Sequence, residues 1–152
     1  VNALKCGPLL GYGVVGVHVT VDDIEASTST APLTVQSAAS QCVLEAVKEA
    51  QPLILEPVVN VLIRVPNHFM GNVLADVTSN RRGQVVEVKQ LEQAGESTST
   101  IDAEIPLKEM VGYATSLRAM SQGNGSFEMS FKDYRFVGQE LQAKLIEDPY
   151  GA

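Results

Sequence analysis

Val58-Val59-Asn60-Val61-Leu62-Ile63-Arg64-Val65 places Val59, Val61, Ile63 and Val65 on every second position. This is the period of a strand whose one face enters a core. C-terminal to it the period changes. Phe69, Val73, Leu74 and Val77 recur at helical spacing, which predicts a helix over 68–80 that stops near Gly83. Residues 85–91 and 99–105 return to strand patterning, and the short polar stretch 93–97 between them has the length and composition of a hairpin loop, so the two strands should pair antiparallel. Pro106 then opens a second helix carrying Leu107, Met110, Val111, Ala114 and Leu117, which Gln122-Gly123-Asn124-Gly125 breaks. A last strand presents Phe127, Met129 and Phe131 on one face. The order β-α-β-β-α-β over about 58–136 is that of a ferredoxin-like split βαβ domain, with two helices on one face of an antiparallel sheet and the other face open to a partner. The fold class is α+β.

N-terminal to this block the pattern differs. Val15, Val17, Val19 and Val21 alternate with Gly16, His18 and Thr20, which predicts a strand over 13–21. Residues 22–32 lose periodicity and fill with small polar side chains, as an exposed loop does. A helix is expected over 34–50, because Val35, Ala38, Ala39, Cys42, Val43, Ala46 and Val47 recur on one stripe. Cys42 on that stripe is expected to be a buried free thiol, which fits a reducing compartment. Pro52 ends the helix, and 53–57 reads as an extended connector bounded by prolines. The division expected is a partial first domain at 1–52, a second domain at 53–138 and a tail at 139–152. The tail holds a short helix anchored by Leu141, Leu145 and Ile146. The chain starts at Val1 without an initiator Met or a signal-peptide pattern, and reads as an excised fragment whose first domain is truncated.

Composition narrows the function. With 18 acidic and 11 basic residues the formal charge is −7, so the molecule lacks the overall basic footprint of an autonomous nucleic-acid binder and any RNA contact must be local. No apolar run approaches the roughly 20 residues of a membrane span. A phosphate-binding loop would need glycines followed by Lys and Ser or Thr, and no such motif occurs; Gly123-Asn124-Gly125 is too short and lacks the Lys. Cys6, His18, Cys42 and His68 show no metal-ligand spacing, and His18 and His68 are expected to be solvated. Asp22-Asp23 reads as a solvated turn rather than an acid–base pair. No catalytic residue, no metal site and no cofactor are therefore expected in this chain. What remains is a local basic signal, Arg81-Arg82-Gly83 after the first helix of the second domain and Arg118 near the end of the second. Arginine suits RNA through its planar fork. The competing reading is a helix C-terminus using positive charge against its dipole.

Several motifs then stand in register. Leu55-Glu56-Pro57, Asn80-Arg81-Arg82-Gly83-Gln84, Ile105-Pro106-Leu107-Lys108-Glu109-Met110, Gly112-Tyr113-Ala114-Thr115, Leu117-Arg118 and Ser121-Gln122-Gly123 resemble, in order and spacing, the last domain of the elongation factor G family. The preceding segment, with Gly7-Pro8-Leu9, Gly11-Tyr12 and the helix after residue 33, resembles the end of that family's ribosomal-protein-S5-like domain, whose tip enters the decoding centre. The resemblance implies a parent GTPase that binds GTP and Mg in a domain this chain lacks, and partners consisting of ribosomal RNA and ribosomal proteins. It marks Arg81, Arg82 and Arg118 as candidate RNA contacts, and Asp22, Asp23, Ser27, Thr28, Ser29 and Thr30 as the tip loop. Gly83, Gly112 and Gly123 are expected to serve backbone geometry, and Tyr113 packing.

The tip loop departs from the elongating pattern: where those members carry a His and an Asp-Ser-Ser run, this chain has Ala26-Ser27-Thr28-Ser29-Thr30 and no His. Together with Ser37-Ala38 and Cys42-Val43 this is similar to the family's mitochondrial ribosome-releasing branch, elongation factor G 2 or ribosome-releasing factor 2. That resemblance implies a parent that splits post-termination ribosomes with ribosome recycling factor in the mitochondrial matrix; the fragment itself is expected to be monomeric. Two alternatives stand beside it: a translocating elongation factor G of a bacterial cytoplasm, and a ferredoxin-like regulatory module that binds a small ligand.

Overall fold

The computed structural model describes residues 2–93 and 96–148. The chain divides into two compact units, one of Leu55–Phe136 and one of Val1–Ile54 with Val137–Ala152. The first of these is built on four strands, β1 (Leu55–Pro66), β2 (Gln84–Gln93), β3 (Glu96–Pro106) and β4 (Ser126–Phe136). They form one antiparallel sheet in the order β2-β3-β1-β4. The helices lie between β1 and β2 and between β3 and β4 in sequence. This is the ferredoxin-like arrangement, and the chain is α+β.

The register places Val59, Val61, Ile63 and Val65 opposite Ile105, Ala103, Ile101 and Ser99. The apolar members join Val73, Val77, Tyr113 and Leu117 in one buried cluster, and Ser99 is buried as well. Strand β1 starts earlier than the expected connector allowed, taking in Leu55-Glu56-Pro57. Pro57 is tolerated in a central strand because pairing with β3 begins only at Val58, so at Pro57 the ladder has β4 as its one partner. The hairpin joining β2 and β3 pairs out to Gln93 and Glu96, and its tip, Ala94 and Gly95, lies outside the described residues.

Both helical segments depart from the uniform helices expected. The first is a 3₁₀ turn at Asn67–Phe69, then α2 (Met70–Ala75), then a π turn at Asp76–Asn80. Thr78 Oγ1 donates to the Leu74 carbonyl across the α-to-π junction. The second splits into a 3₁₀ turn at Leu107–Met110 and α3 (Tyr113–Met120), because Gly112 takes the left-handed conformation, φ 74°. Val111, expected on the apolar stripe, consequently points out and is 82% exposed. On β4 the register puts Phe127, Met129 and Phe131 on the face of Ile63, Val61 and Val59, but only Phe127 packs against the core. Met129 and Phe131 remain exposed.

The other unit contains α1 (Pro32–Glu49) and α4 (Gln139–Glu147). Pro32 at the first turn needs no backbone partner, and Gln51, at φ 53°, turns the chain before Pro52. The Ile54 amide donates to Gln142 Oε1 at 3.0 Å, while the Ile54 carbonyl accepts from Val137. The strand expected over 13–21 does not form. No other strand is described in this unit to hydrogen-bond with it, and an extended segment without a neighbour is no ladder. Its valines, Val15, Val17, Val19 and Val21, are exposed. For the same reason the apolar stripe of α1 is open, lining with Val17, Val19 and Val21 a groove of about 860 Å³. Cys42 is thus exposed rather than buried, and Cys6 is exposed too. Only Val47 of α1 is buried.

Candidate functional site

The basic residues singled out in the sequence are separated by their partners. Arg81 follows the π turn, which carries Asp76 at its start. Arg81 Nε donates to Asp76 Oδ2 at 2.6 Å, and both side chains are 11% exposed. Its Nη1 donates to the Glu109 carbonyl, and its guanidinium carbon lies 4.6 Å from the centroid of the buried Tyr113 ring. Three acceptors or faces therefore hold it, and its polar capacity is turned inward. Arg82, at φ 50°, points the other way and forks onto Glu56, Nη1 to Oε1 at 3.0 Å and Nη2 to Oε2 at 2.8 Å. Its Nε donates to Glu109 Oε1 at 2.9 Å. The Glu56 hydrogen bond, followed by that to Glu109, raises the Arg82 pKa above its ordinary value against an opposing desolvation. The structure thus brings Arg81 and Arg82 together around Glu109 as a tie between β1, the π turn and the Leu107–Met110 turn.

Arg118 stands apart. Its side chain is exposed on the last turn of α3 and makes no hydrogen bond or ion pair among the described residues. Its carbonyl accepts from Gly123, whose φ of 86° turns the chain toward β4. Asp22, Asp23, Ser27, Thr28, Ser29 and Thr30 are all exposed in the other unit. Asp23 Oδ1 accepts from the Ile24 amide, and the Ser27 and Ser29 hydroxyls lie 3.0 Å apart, contacts that organise a turn without committing either carboxylate to a ligand. His18 and His68 are exposed.

The partners Glu56, Asp76 and Glu109 were not among the expected site residues. Asp76 lies five residues before Arg81 and also accepts from Asn80 Nδ2 at 2.9 Å, an i, i+4 pair that helical spacing could have exposed. Glu56 and Glu109 lie 26 and 27 residues from Arg82, and no local spacing signals them.

The sheet face away from the helices is no more basic. Lys89 pairs with Glu87, Arg64 with Glu128, and Glu104 with both Lys132 and Arg135. Contact with Lys132, then Arg135, holds the Glu104 carboxyl below its ordinary value of 4.5. The folded state therefore binds a proton at Glu104 less readily than the unfolded chain does. The resulting stability is fully present above about pH 4.5 and is lost as pH falls through the lower folded value. Glu104→Gln is expected to flatten the dependence of Tm on pH below about pH 4.5. An unchanged acid-side slope would mean that the two cations do not act on Glu104 in solution.

Among the described residues no three His, Cys, Asp or Glu side chains converge as a metal site, and no helix is long and apolar enough to cross a membrane. Around Gly123 the chain carries the Ser121 and Ser126 hydroxyls but no Lys, so the turn does not have the make-up of a phosphate-binding loop.

The family profile described as elongation factor G C-terminus matches residues 53–145. The chain is 38% identical over 147 residues to elongation factor G of Thermotoga neapolitana and of Thermotoga maritima, covering 96% of itself and 20% of each of them. It is 34% identical over 146 residues to elongation factor G of Petrotoga mobilis, 95% of the chain and 21% of that protein. It also matches the crystal structure of a Thermus thermophilus protein with a TM-score of 0.75 and 28% identity, over 97% of this chain and 22% of that one. The chain spans about a fifth of the length of the curated relatives it matches.

Proposed function

Since the chain belongs to the elongation factor G C-terminus family, we propose that it is the ribosome-contacting end of a translational elongation factor that promotes the elongation step. The observation that carries this reading is the near-complete alignment of both units with relatives named elongation factor G. The GTP and Mg of the parent belong to a domain outside this chain, so this chain supplies contacts and no hydrolysis. We assign residues 1–52 to the end of an S5-like domain, 53–138 to the ferredoxin-like domain and 139–152 to a tail. The bacterial relatives support a bacterial cytoplasm over a mitochondrial matrix.

Within the Leu55–Phe136 unit, Arg118 is the arginine whose guanidinium is uncommitted, and it is the proposed phosphate contact. An acidic molecule can dock on RNA through one such point, because the contact depends on local potential. Arg118→Ala is expected to weaken co-sedimentation of the chain with ribosomes about tenfold, the loss of one charge-assisted hydrogen bond. Arg118→Lys should recover part of it. Unchanged binding in Arg118→Ala would remove this residue from the interface.

A second reading is favoured by one feature, the Ser27-Thr28-Ser29-Thr30 loop without His. It is that of a releasing factor acting with ribosome recycling factor on post-termination mitochondrial ribosomes. Light scattering of the full-length parent with post-termination ribosomes, recycling factor and GTP, beside a peptide-elongation assay, separates the two. Elongation without splitting supports the first reading, and splitting without elongation replaces it with the second.

A further inference from the structure

One end of the sheet gathers three chain turns: the exit from β1 at Pro66-Asn67-His68, the start of β3 at Ser97-Thr98, and the entry to β4 at Asn124 and Ser126. Between them lies a cleft of about 700 Å³, within the roughly 300–1,000 Å³ of small-molecule sites. In a chain of net charge −7, none of its described lining residues is acidic, and Arg64 is the lining residue with a permanent charge. The rest are amides, hydroxyls, an imidazole and two apolar side chains. We propose that this cleft takes one unpaired ribonucleotide, its phosphate at Arg64 and its base against His68. The assignment rests on the ribosome-contacting reading above, and places an RNA contact away from Arg81 and Arg82.

The side chains are set for that task in different ways. Arg64 Nη1 donates to Glu128 Oε1 at 2.6 Å, while Nη2 and Nε have no partner among the described residues. Both members of this pair are solvated, at 46% and 69% exposure, so the carboxylate is a weak competitor that a phosphate can displace or join. Asn67 is fixed: its Nδ2 donates to Ser97 Oγ and its Oδ1 accepts from the buried Ser99 Oγ at 2.5 Å. Tying this turn to β3 leaves His68 outward, with its ring 3.9 Å from that of Phe69, centroid to centroid. An imidazole on an aromatic support offers a stacking face for a splayed base, and Thr98, Ser126 and Asn124 supply donors and acceptors for its edge. A protein partner would instead favour a flat apolar surface, which this cleft does not offer.

The test is amide NMR of the full chain titrated with three probes: a mixed-sequence single-stranded RNA hexanucleotide, inorganic phosphate, and a hexaglutamate peptide. The RNA is expected to shift Asn67, His68, Ser97, Thr98, Asn124 and Ser126. Phosphate should perturb the surroundings of Arg64 alone and more weakly, and the peptide should shift none of them. Arg64→Gln and His68→Ala are each expected to weaken RNA binding about tenfold at constant salt. These exposed substitutions are checked for native spectra. Shifts confined to Arg118, or an equal response to hexaglutamate, would overturn the nucleotide assignment. Ribosome co-sedimentation separates the failures. If it persists undiminished in the cleft variants, the inference falls alone; if the unsubstituted chain does not co-sediment, the ribosome reading falls and takes the inference with it.

Discussion

Arg81→Ala is expected to lower the stability of the Leu55–Phe136 unit by about 2–3 kcal/mol, the cost of removing a charge-assisted hydrogen bond from a part-buried pair. The charge left behind is Asp76, 11% exposed, whose remaining neighbour is Asn80. The substitution also uncovers the face of Tyr113 over which the guanidinium lies, and frees the Glu109 carbonyl. Tyr113 is already strained in polar terms: its hydroxyl is buried with no hydrogen-bond partner among the described residues, and burial pushes its pKa well up. Urea unfolding checks the expectation, as a fall in midpoint with unchanged slope. Arg82→Ala is the internal comparison. Its ion pairs are partly solvated, at 38% exposure for the arginine, so about 1 kcal/mol is expected. If instead Arg81→Ala abolished ribosome binding at full stability, Arg81 would be an RNA contact and its inward geometry a property of the free chain alone.

The two adjacent arginines therefore do unlike work from one turn. A π turn adds a residue per hydrogen-bonded ring relative to an α-helix, and it presents Arg81 to Asp76 while Arg82 leaves in the left-handed region. Glu109 receives both, through its carbonyl and its carboxylate, so the Leu107–Met110 turn is held to the opposite end of the β1 connection. Arg118, one helix later, makes no side-chain hydrogen bond or ion pair among the described residues.

What the sequence discloses about this fold follows the range of the interactions involved. The alternation of Val59, Val61, Ile63 and Val65 and the helical recurrence of Phe69, Val73 and Val77 are local, and they led directly to the sheet and its covered face. The break at Gly112 was written in a glycine that periodicity read through, because Val111 fits an apolar stripe in sequence and is excluded from it only by the backbone. The strand expected at Val15 to Val21 had the right period but no partner, and a ladder is a property of two strands. Cys42 was misplaced by the same error, since an apolar stripe is buried only where something covers it. The roles of Arg81 and Arg82 were least legible. Their anchors Glu56 and Glu109 are distant in sequence, and two adjacent arginines look the same whether they face RNA or carboxylates.

Gly83→Ala is expected to cost about 3 kcal/mol, as a methyl forced into a filled core does. A Cβ at this position would sit 2.7 Å from Val77 Cγ1, 2.8 Å from the Val77 carbonyl oxygen and 3.1 Å from Ile105 Cγ1. Neither neighbour can yield, since Val77 and Ile105 are fully buried. The carbonyl is also held, accepting from the Gly83 amide at 2.9 Å. The requirement is therefore for space between the π turn and β3, and the whole Arg81–Arg82 tie depends on this close approach to aim its side chains. Gly71→Ala is the matching control. Gly71 lies within α2 with nothing within 4 Å of its added Cβ, so the same chemical change should stabilise by about 0.5–1 kcal/mol through helix propensity. Urea midpoints that move in opposite directions establish that packing fixes Gly83. Equal losses at both positions would instead point to a general intolerance of the segment, and would remove the close approach as the reason for a glycine at the turn.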